Sequence, residues 1–121
     1  ERVLKVEAEI SVDLLSENLV SLVDEFAPFG QGNRKPIFLL KNLQVIDFKT
    51  MGRENNHLLI NAKYKMQNNE YKYVKAIAWR MGERLSELNP GDSIDIAGMI
   101  EINEWNGRRN VQVVVRDFQV N

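Results

Sequence analysis

The sequence contains no cysteine, so disulfides and thiolate metal sites are excluded. It has one histidine, His57, at the start of an apolar stretch, and no run that brings Asp and His together. Two-metal hydrolysis needs several carboxylates or imidazoles converging on ions about 3.5–4 Å apart. Asp92 and Asp95, and Glu101 and Glu104, read instead as strand-surface carboxylates, so no catalytic residue, metal ligand or cofactor is expected in this chain. No hydrophobic run is long enough to span a bilayer, and no signal-peptide pattern is present. A cytoplasmic location without a membrane partner is the expectation. With three prolines and seven glycines in 121 residues, the chain has no low-complexity linker, and these residues act as local punctuation.

What is present is an ordinary globular composition, 44% hydrophobic and 27% charged, enough for one compact domain with a core. The chain opens on Glu1 rather than Met, and is therefore expected to be a piece of a longer protein. Net charge is −1, but it is unevenly spread. Glu1–Gln31 has seven acidic and two basic residues, Arg34–Arg84 eleven basic and four acidic, and Leu85–Asn121 six acidic and three basic. A basic middle between acidic ends is compatible with a solvated lysine-rich sheet surface or with a polyanion site.

Periodicity divides the chain into elements. Val6, Ala8 and Ile10 alternate with Lys5, Glu7 and Glu9, which predicts a strand over Lys5–Ser11. Leu15, Leu19, Leu22, Val23 and Phe26 then fall on one helical face. Ser16 is a natural N-cap, and Leu15 and Val20 stand where a hydrophobic staple forms. Pro28 and Gly30 are expected to end this helix.

Five strands are predicted beyond Pro36. Ile37–Met51 is long and apolar on both faces, as in a strand that bends between two sheets. His57–Met66 turns Leu58, Ile60, Ala62 and Tyr64 one way and Asn61, Lys63 and Lys65 the other. Tyr71–Arg80 follows, then a short helix with Leu85 and Leu88 inward, stopped at Pro90-Gly91. Ser93–Trp105 turns Ile94, Ile96, Ile100 and Ile102 to one face, with Gly98 marking a bend. Asn106-Gly107 is a hairpin signal, and Arg108–Val120 is the returning strand. Five strands with a helix between the third and fourth is the order of an OB-fold, a small Greek-key barrel, although another five-stranded barrel fits too. The expected organisation is mainly β: residues 1–36 as an N-terminal strand, helix and elbow, and residues 37–121 as the barrel.

The glycine-rich stretch "APFGQGNRKPIF" does not suit a phosphate loop. Such loops run from a strand through glycines into a helix, whereas here a helix precedes the glycines and a strand follows. The stretch is expected to be a rigid elbow. Within it Gly30 closes the helix, Gly32 permits a turn and Pro36 opens the barrel.

The elbow "PFGQGN" followed by "PIF", then "MGRENNHLLINAKY", "VKAIAWRMGE" and "PGDSIDIAGMIEINEWNGRRNVQVVVRDF", resembles the RecJ family of bacterial single-strand-specific DNA exonucleases over nearly the whole chain. Its elbow positions are Pro28, Phe29, Gly30, Gly32, Asn33 and Pro36. Arg34-Lys35 departs from relatives that place proline straight after the asparagine. The resemblance implies the OB-fold end of a 5'-3' exonuclease of recombination and repair, without the Asp-His-His core that would hold Mn or Mg. It further implies a strand-holding role beside that nuclease core, and single-stranded-DNA-binding protein as a possible companion.

OB-folds bind nucleic acid across their second and third strands, flanked by the loops after strands one and four, with cations for phosphates and aromatics for bases. The expected contacts are Arg53 and Asn55 in the first loop, with Asn56 beside them. Lys63 and Lys65 are expected on strand two, and Tyr73, Lys75 and Trp79 on strand three. Trp105, Arg108 and Arg109 are expected at the second hairpin. Trp79 is compatible with either core or platform, and Trp105 with either a platform or a packed hairpin plug. The competing reading is a protein-interaction or architectural OB module that docks single-stranded-DNA-binding protein or braces the nuclease.

Overall fold

A computed structural model describes residues 6–25 and 35–121. Six strands form one sheet: β1 (Ala8–Glu9), β2 (Phe38–Met51), β3 (His57–Lys65), β4 (Tyr71–Ala78), β5 (Ser93–Trp105) and β6 (Arg108–Val120). Helix α1 covers Glu17–Asp24, and short 3-10 turns cover Val12–Leu14 and Gly82–Glu87. The sheet runs β1-β2-β3-β4-β6-β5, and β2 pairs with β5 as well, closing β2–β6 into a barrel. All barrel pairs are antiparallel except β4–β6, which is parallel over Lys75–Ile77 and Gln112–Val114. This is the expected OB topology, with a 3-10 turn rather than an α-helix between β4 and β5.

The inward residues are those the alternation predicts. Leu58, Ile60 and Ala62 of β3, Val74, Ala76 and Ala78 of β4, and Ile94, Ile96 and Ile100 of β5 are buried in one cluster with Val113, Val115 and Phe118. Full burial of each larger aliphatic side chain contributes about 1.5–3 kcal/mol. β2 reaches the same core with a changing parity, through Leu40, Leu43 and Val45. Its register shifts between Leu40 and Leu43 and again between Val45 and Asp47. The extra residues, Asn42 (φ 63°) and Ile46, let one strand bend across the barrel and pair on both edges. Asp95 Oδ1 accepts from the Asn42 N–H at 3.0 Å and holds the first bulge.

β5 shifts register at Ala97/Gly98, where a Cβ on Gly98 would run into the Val114 carbonyl. The β5–β6 turn has positive φ at both Asn106 and Gly107, the hairpin conformation that Asn-Gly favours. Arg84 ties the 3-10 turn to β6. Its guanidinium donates to Glu87 (2.9 Å), Asp117 (2.7 Å) and the Phe118 carbonyl (2.8 Å), and stacks 3.9 Å over the Phe118 ring. The hydrogen bond to Glu87 leads the causes that raise the Arg84 pKa.

The N-terminal segment shares the barrel's core rather than standing apart, since Val12, Leu15 and Val20 belong to the same buried cluster. Ser16 caps α1 as expected, accepting from the Leu19 N–H at 3.1 Å. Two expectations fail here. The predicted strand Lys5–Ser11 shortens to Ala8–Glu9, a parallel edge pair on β2, with Val6 and Ala8 exposed. Backbone pairing with one neighbour, not a buried face, holds it. Leu22 is 51% exposed, and Val20 takes the buried position in this eight-residue helix. Lys5, Phe26 and the elbow residues Pro28, Phe29, Gly30, Gly32 and Asn33 lie outside the described residues. Pro36 is described, half-buried just before β2.

Candidate nucleic-acid interface

The outward face of β3 and β4 is built by strand alternation. On β4 it carries Tyr71, Tyr73, Lys75 and Ile77, and on β3 it carries Leu59, Asn61, Lys63 and Lys65. The register pairs Lys65 with Tyr71, Lys63 with Tyr73, Asn61 with Lys75 and Leu59 with Ile77. Tyr73 is 70% exposed and Tyr71 44%. The Lys63 ammonium lies 4.5 Å from the Tyr71 ring centroid, a cation–π contact. Tyr71 was not among the expected contacts, although its period-two spacing from Tyr73 and Lys75 carries the signal.

Trp79 stands one residue beyond β4 and is 49% exposed, so the core reading of this residue fails. Strand alternation no longer governs it there. His57 instead meets it edge-on, with ring centroids 4.8 Å apart at 78°. The other side of the imidazole is fixed too: Nδ1 accepts from the Arg80 N–H at 2.9 Å, which puts the neutral ring's proton on Nε2. That bond also supports Arg80 at φ 63°. His57 thus braces the Trp79 ring. Among the described residues, no group of three or more His, Asp or Glu comes together to hold a metal.

The two loops lie at opposite ends of this face. The β2–β3 loop, with Arg53 and Asn55 exposed, sits at the Trp79 end, where Met51 pairs with His57. It is pinned by Gly82 N–H donating to the Asn56 carbonyl at 2.8 Å. The β5–β6 hairpin lies at the Tyr71 end, by the parallel register of β4 and β6. Trp105 there is 72% exposed and pairs across the hairpin with Arg108, so it is no packed plug. Arg109 is already engaged, donating through Nε to Glu17 at 3.0 Å and lying 3.6 Å from Glu104.

Toward the hairpin end, beside β4 and β6, lies an open groove of about 520 Å³. Its lining includes Glu17, Ile46, Asp47, Asn61, Tyr73, Lys75, Arg109 and Gln112. Lys72 also lines it, with Nζ donating to the Asp13 carbonyl at 3.2 Å. Burial lowers the Lys72 pKa, and the nearby Asp13 charge only partly restores it. Sequence reasoning missed Asp47 and Gln112, because only the barrel register brings them to Asn61 and Lys75. No helix among the described residues is long and apolar enough to cross a membrane.

Comparison with known proteins gives this geometry a family. The model of the RecJ OB domain matches residues 6–117. The chain is 27% identical over 118 residues to the single-stranded-DNA-specific exonuclease RecJ of Bacillus subtilis, covering 98% of this chain and 14% of that protein. The crystal structure of RecJ from Thermus thermophilus in complex with Mn2+ superposes with a TM-score of 0.55 at 27% identity, over 84% of this chain and 14% of that one. A small single-stranded DNA-binding protein from Streptomyces coelicolor shares the fold, with a TM-score of 0.54 at 10% identity over 70% of this chain and 91% of that one. The chain therefore spans about a seventh of the RecJ proteins it matches. Barrel topology, strand register and the match over residues 6–117 agree: this chain belongs to the RecJ OB domain family.

Proposed function

We propose that this domain holds single-stranded DNA for a RecJ-type nuclease and does not itself cut it. The observation that carries the reading is the outward face of β3 and β4, where exposed Tyr71 and Tyr73 stand among Lys63, Lys65 and Lys75, with half-exposed Trp79 just beyond the end of β4. Aromatic platforms stack bases and cations follow the phosphates, each stack being worth about 1–3 kcal/mol. Arg53 and Asn55 at one end, and Trp105 and Arg108 at the other, extend the track. From Trp79 to Tyr73 is six residues, roughly 20 Å at strand spacing, enough for several nucleotides.

In this reading the metal chemistry, with Mn or Mg, belongs to a nuclease core elsewhere in a longer cytoplasmic chain acting in recombination and repair. The domain raises the local concentration of the strand at that core. The test is a titration with labelled single- and double-stranded oligonucleotides, following anisotropy and tryptophan fluorescence at low and moderate salt. Single-strand preference with quenching, weakened in Trp105→Ala and Arg108→Ala, is the expected result. Absence of binding at low salt overturns the reading.

A second role is favoured by the N-terminal segment, where Leu14 is 62% and Leu22 51% exposed. Apolar side chains there suit a brace against the nuclease core or a dock for single-stranded-DNA-binding protein. Loss of either association in Leu14→Asp or Leu22→Asp, with DNA binding intact, separates this role from strand holding.

A further inference from the structure

The floor of the groove has its hydrogen-bonding sense set by two carboxylates. Asn61 Nδ2 donates to Asp47 Oδ1 at 2.6 Å, and Gln112 Nε2 donates to Glu101 Oε1 at 2.7 Å. A carboxylate only accepts, so each amide must turn its nitrogen toward its carboxylate, leaving its carbonyl oxygen without a side-chain partner among the described residues. The register aligns Asp47, Asn61, Lys75, Gln112 and Glu101 on one rung across five strands. Lys75 is the one cation in that row. Tyr73, two residues along β4 on the same face, forms an exposed aromatic wall. A groove of about 520 Å³ is within the range of about 300–1,000 Å³ that small-ligand sites occupy.

We infer that this groove is a nucleobase subsite that selects bases bearing an exocyclic amine, cytosine over uracil and thymine. The inference rests on the reading of the domain as a single-strand binder. A base stacked on Tyr73 presents its edge to the rung. Cytosine offers its N4 amine as a donor to the Asp47 carboxylate or the neighbouring amide oxygens, a pairing that acidic side chains make with cytosine. Its N3 and O2 accept, and so suit the Lys75 ammonium. Uracil and thymine place the O4 acceptor where cytosine has its amine. Acceptor then faces acceptor, and a desolvated oxygen is left unpaired.

The test is the affinity of the chain for labelled oligo-dC, oligo-dU and oligo-dT of one length, about 12 nucleotides, within the site size of an OB-fold. The expected result is oligo-dC bound about tenfold more tightly than oligo-dU, the order given by one well-placed base contact. Oligo-dT follows oligo-dU, from which it differs by a methyl group. Asp47→Asn supplies an N–H where the carboxylate stood, and is expected to bring oligo-dC and oligo-dU to within about twofold. Should that variant lose its thermal transition, Glu101→Gln carries the same test from the other end of the rung. Equal affinities in the unaltered chain overturn base selection and leave single-strand binding standing. A cytosine preference that survives both substitutions overturns the assignment to this groove. No binding of any oligonucleotide overturns both readings together.

Discussion

Arg109, on the second residue of β6, donates to the carboxylate of Glu17, the first residue of α1, at 3.0 Å. In the strand-holding reading, this carboxylate occupies a cation otherwise available to a phosphate, and a strand entering the groove would have to displace it. Glu17→Gln is expected to tighten single-strand binding about two- to fivefold at low salt, and to steepen its salt dependence as one more cation becomes available. Exposed ion pairs add little to folding, so the same variant should lose less than about 1 kcal/mol of stability. Anisotropy across a salt series and a denaturant melt read the two effects.

Tyr73 on β4 and Trp79 just beyond its end are six residues apart and should act independently. Each alanine substitution is expected to weaken oligonucleotide binding by about 1–3 kcal/mol, with near-additive losses in the double variant. Thermal stability should change little for Tyr73, which is 70% exposed, and somewhat more for Trp79, which is half exposed and packs against His57. An unchanged affinity in both single variants would move the binding track off this face.

Gly98 sits at the register shift of β5 against β6. Gly98→Ala forces a methyl group against the Val114 carbonyl, and the cost is expected to be about 1–3 kcal/mol. A denaturant midpoint shift with unchanged slope would identify it as strain in the folded barrel.

Asp95 links the β2 bulge to β5 and the chain's last residue. Burial alone would raise its pKa, but hydrogen bonds from Asn121 Nδ2 (3.0 Å) and the Asn42 N–H (3.0 Å), with nearby Lys41, outweigh it, and the net direction is down from 3.8. A carboxylate with a depressed folded pKa contributes stability that is present above its unfolded value and lost as pH falls through the folded one. Stability should therefore fall on acidification from about pH 5 downward. Asp95→Asn should remove part of that slope while leaving the curve near neutrality parallel, as chemical melts at a series of pH values would read.

Much of the barrel was legible because local rules agreed with the fold. His57–Lys65 alternates without interruption, Asn106-Gly107 permits only a few turns, and Ser16 caps the helix it precedes. The failures lie where a rule lost its physical basis. Trp79, open between core and platform in the sequence, is past the end of β4, where no pleat assigns it a side. Val6 and Ala8 alternate properly, yet no second layer covers them. Leu22 fits the helical stripe, but the face turned inward is Leu19, Val20 and Val23, which leaves Leu22 to one side. The polar rung was beyond reach for another reason. The Asp47–Asn61 and Glu101–Gln112 pairs depend on register, and the shift after Val45 changes which β2 residues point outward.

The parallel pairing of β4 with β6 also governs when the barrel exists at all. β2, β3 and β4 form a meander from neighbouring sequence, but β4 keeps an open edge until the last strand lies beside it. As the ribosome delivers the chain from its amino end, the open edge of β4 must wait for residues 108–120. Closure is then a late, long-range event with a correspondingly slow rate. A chain halted at the Asn106-Gly107 turn would carry most of the aromatic face without a barrel to present it.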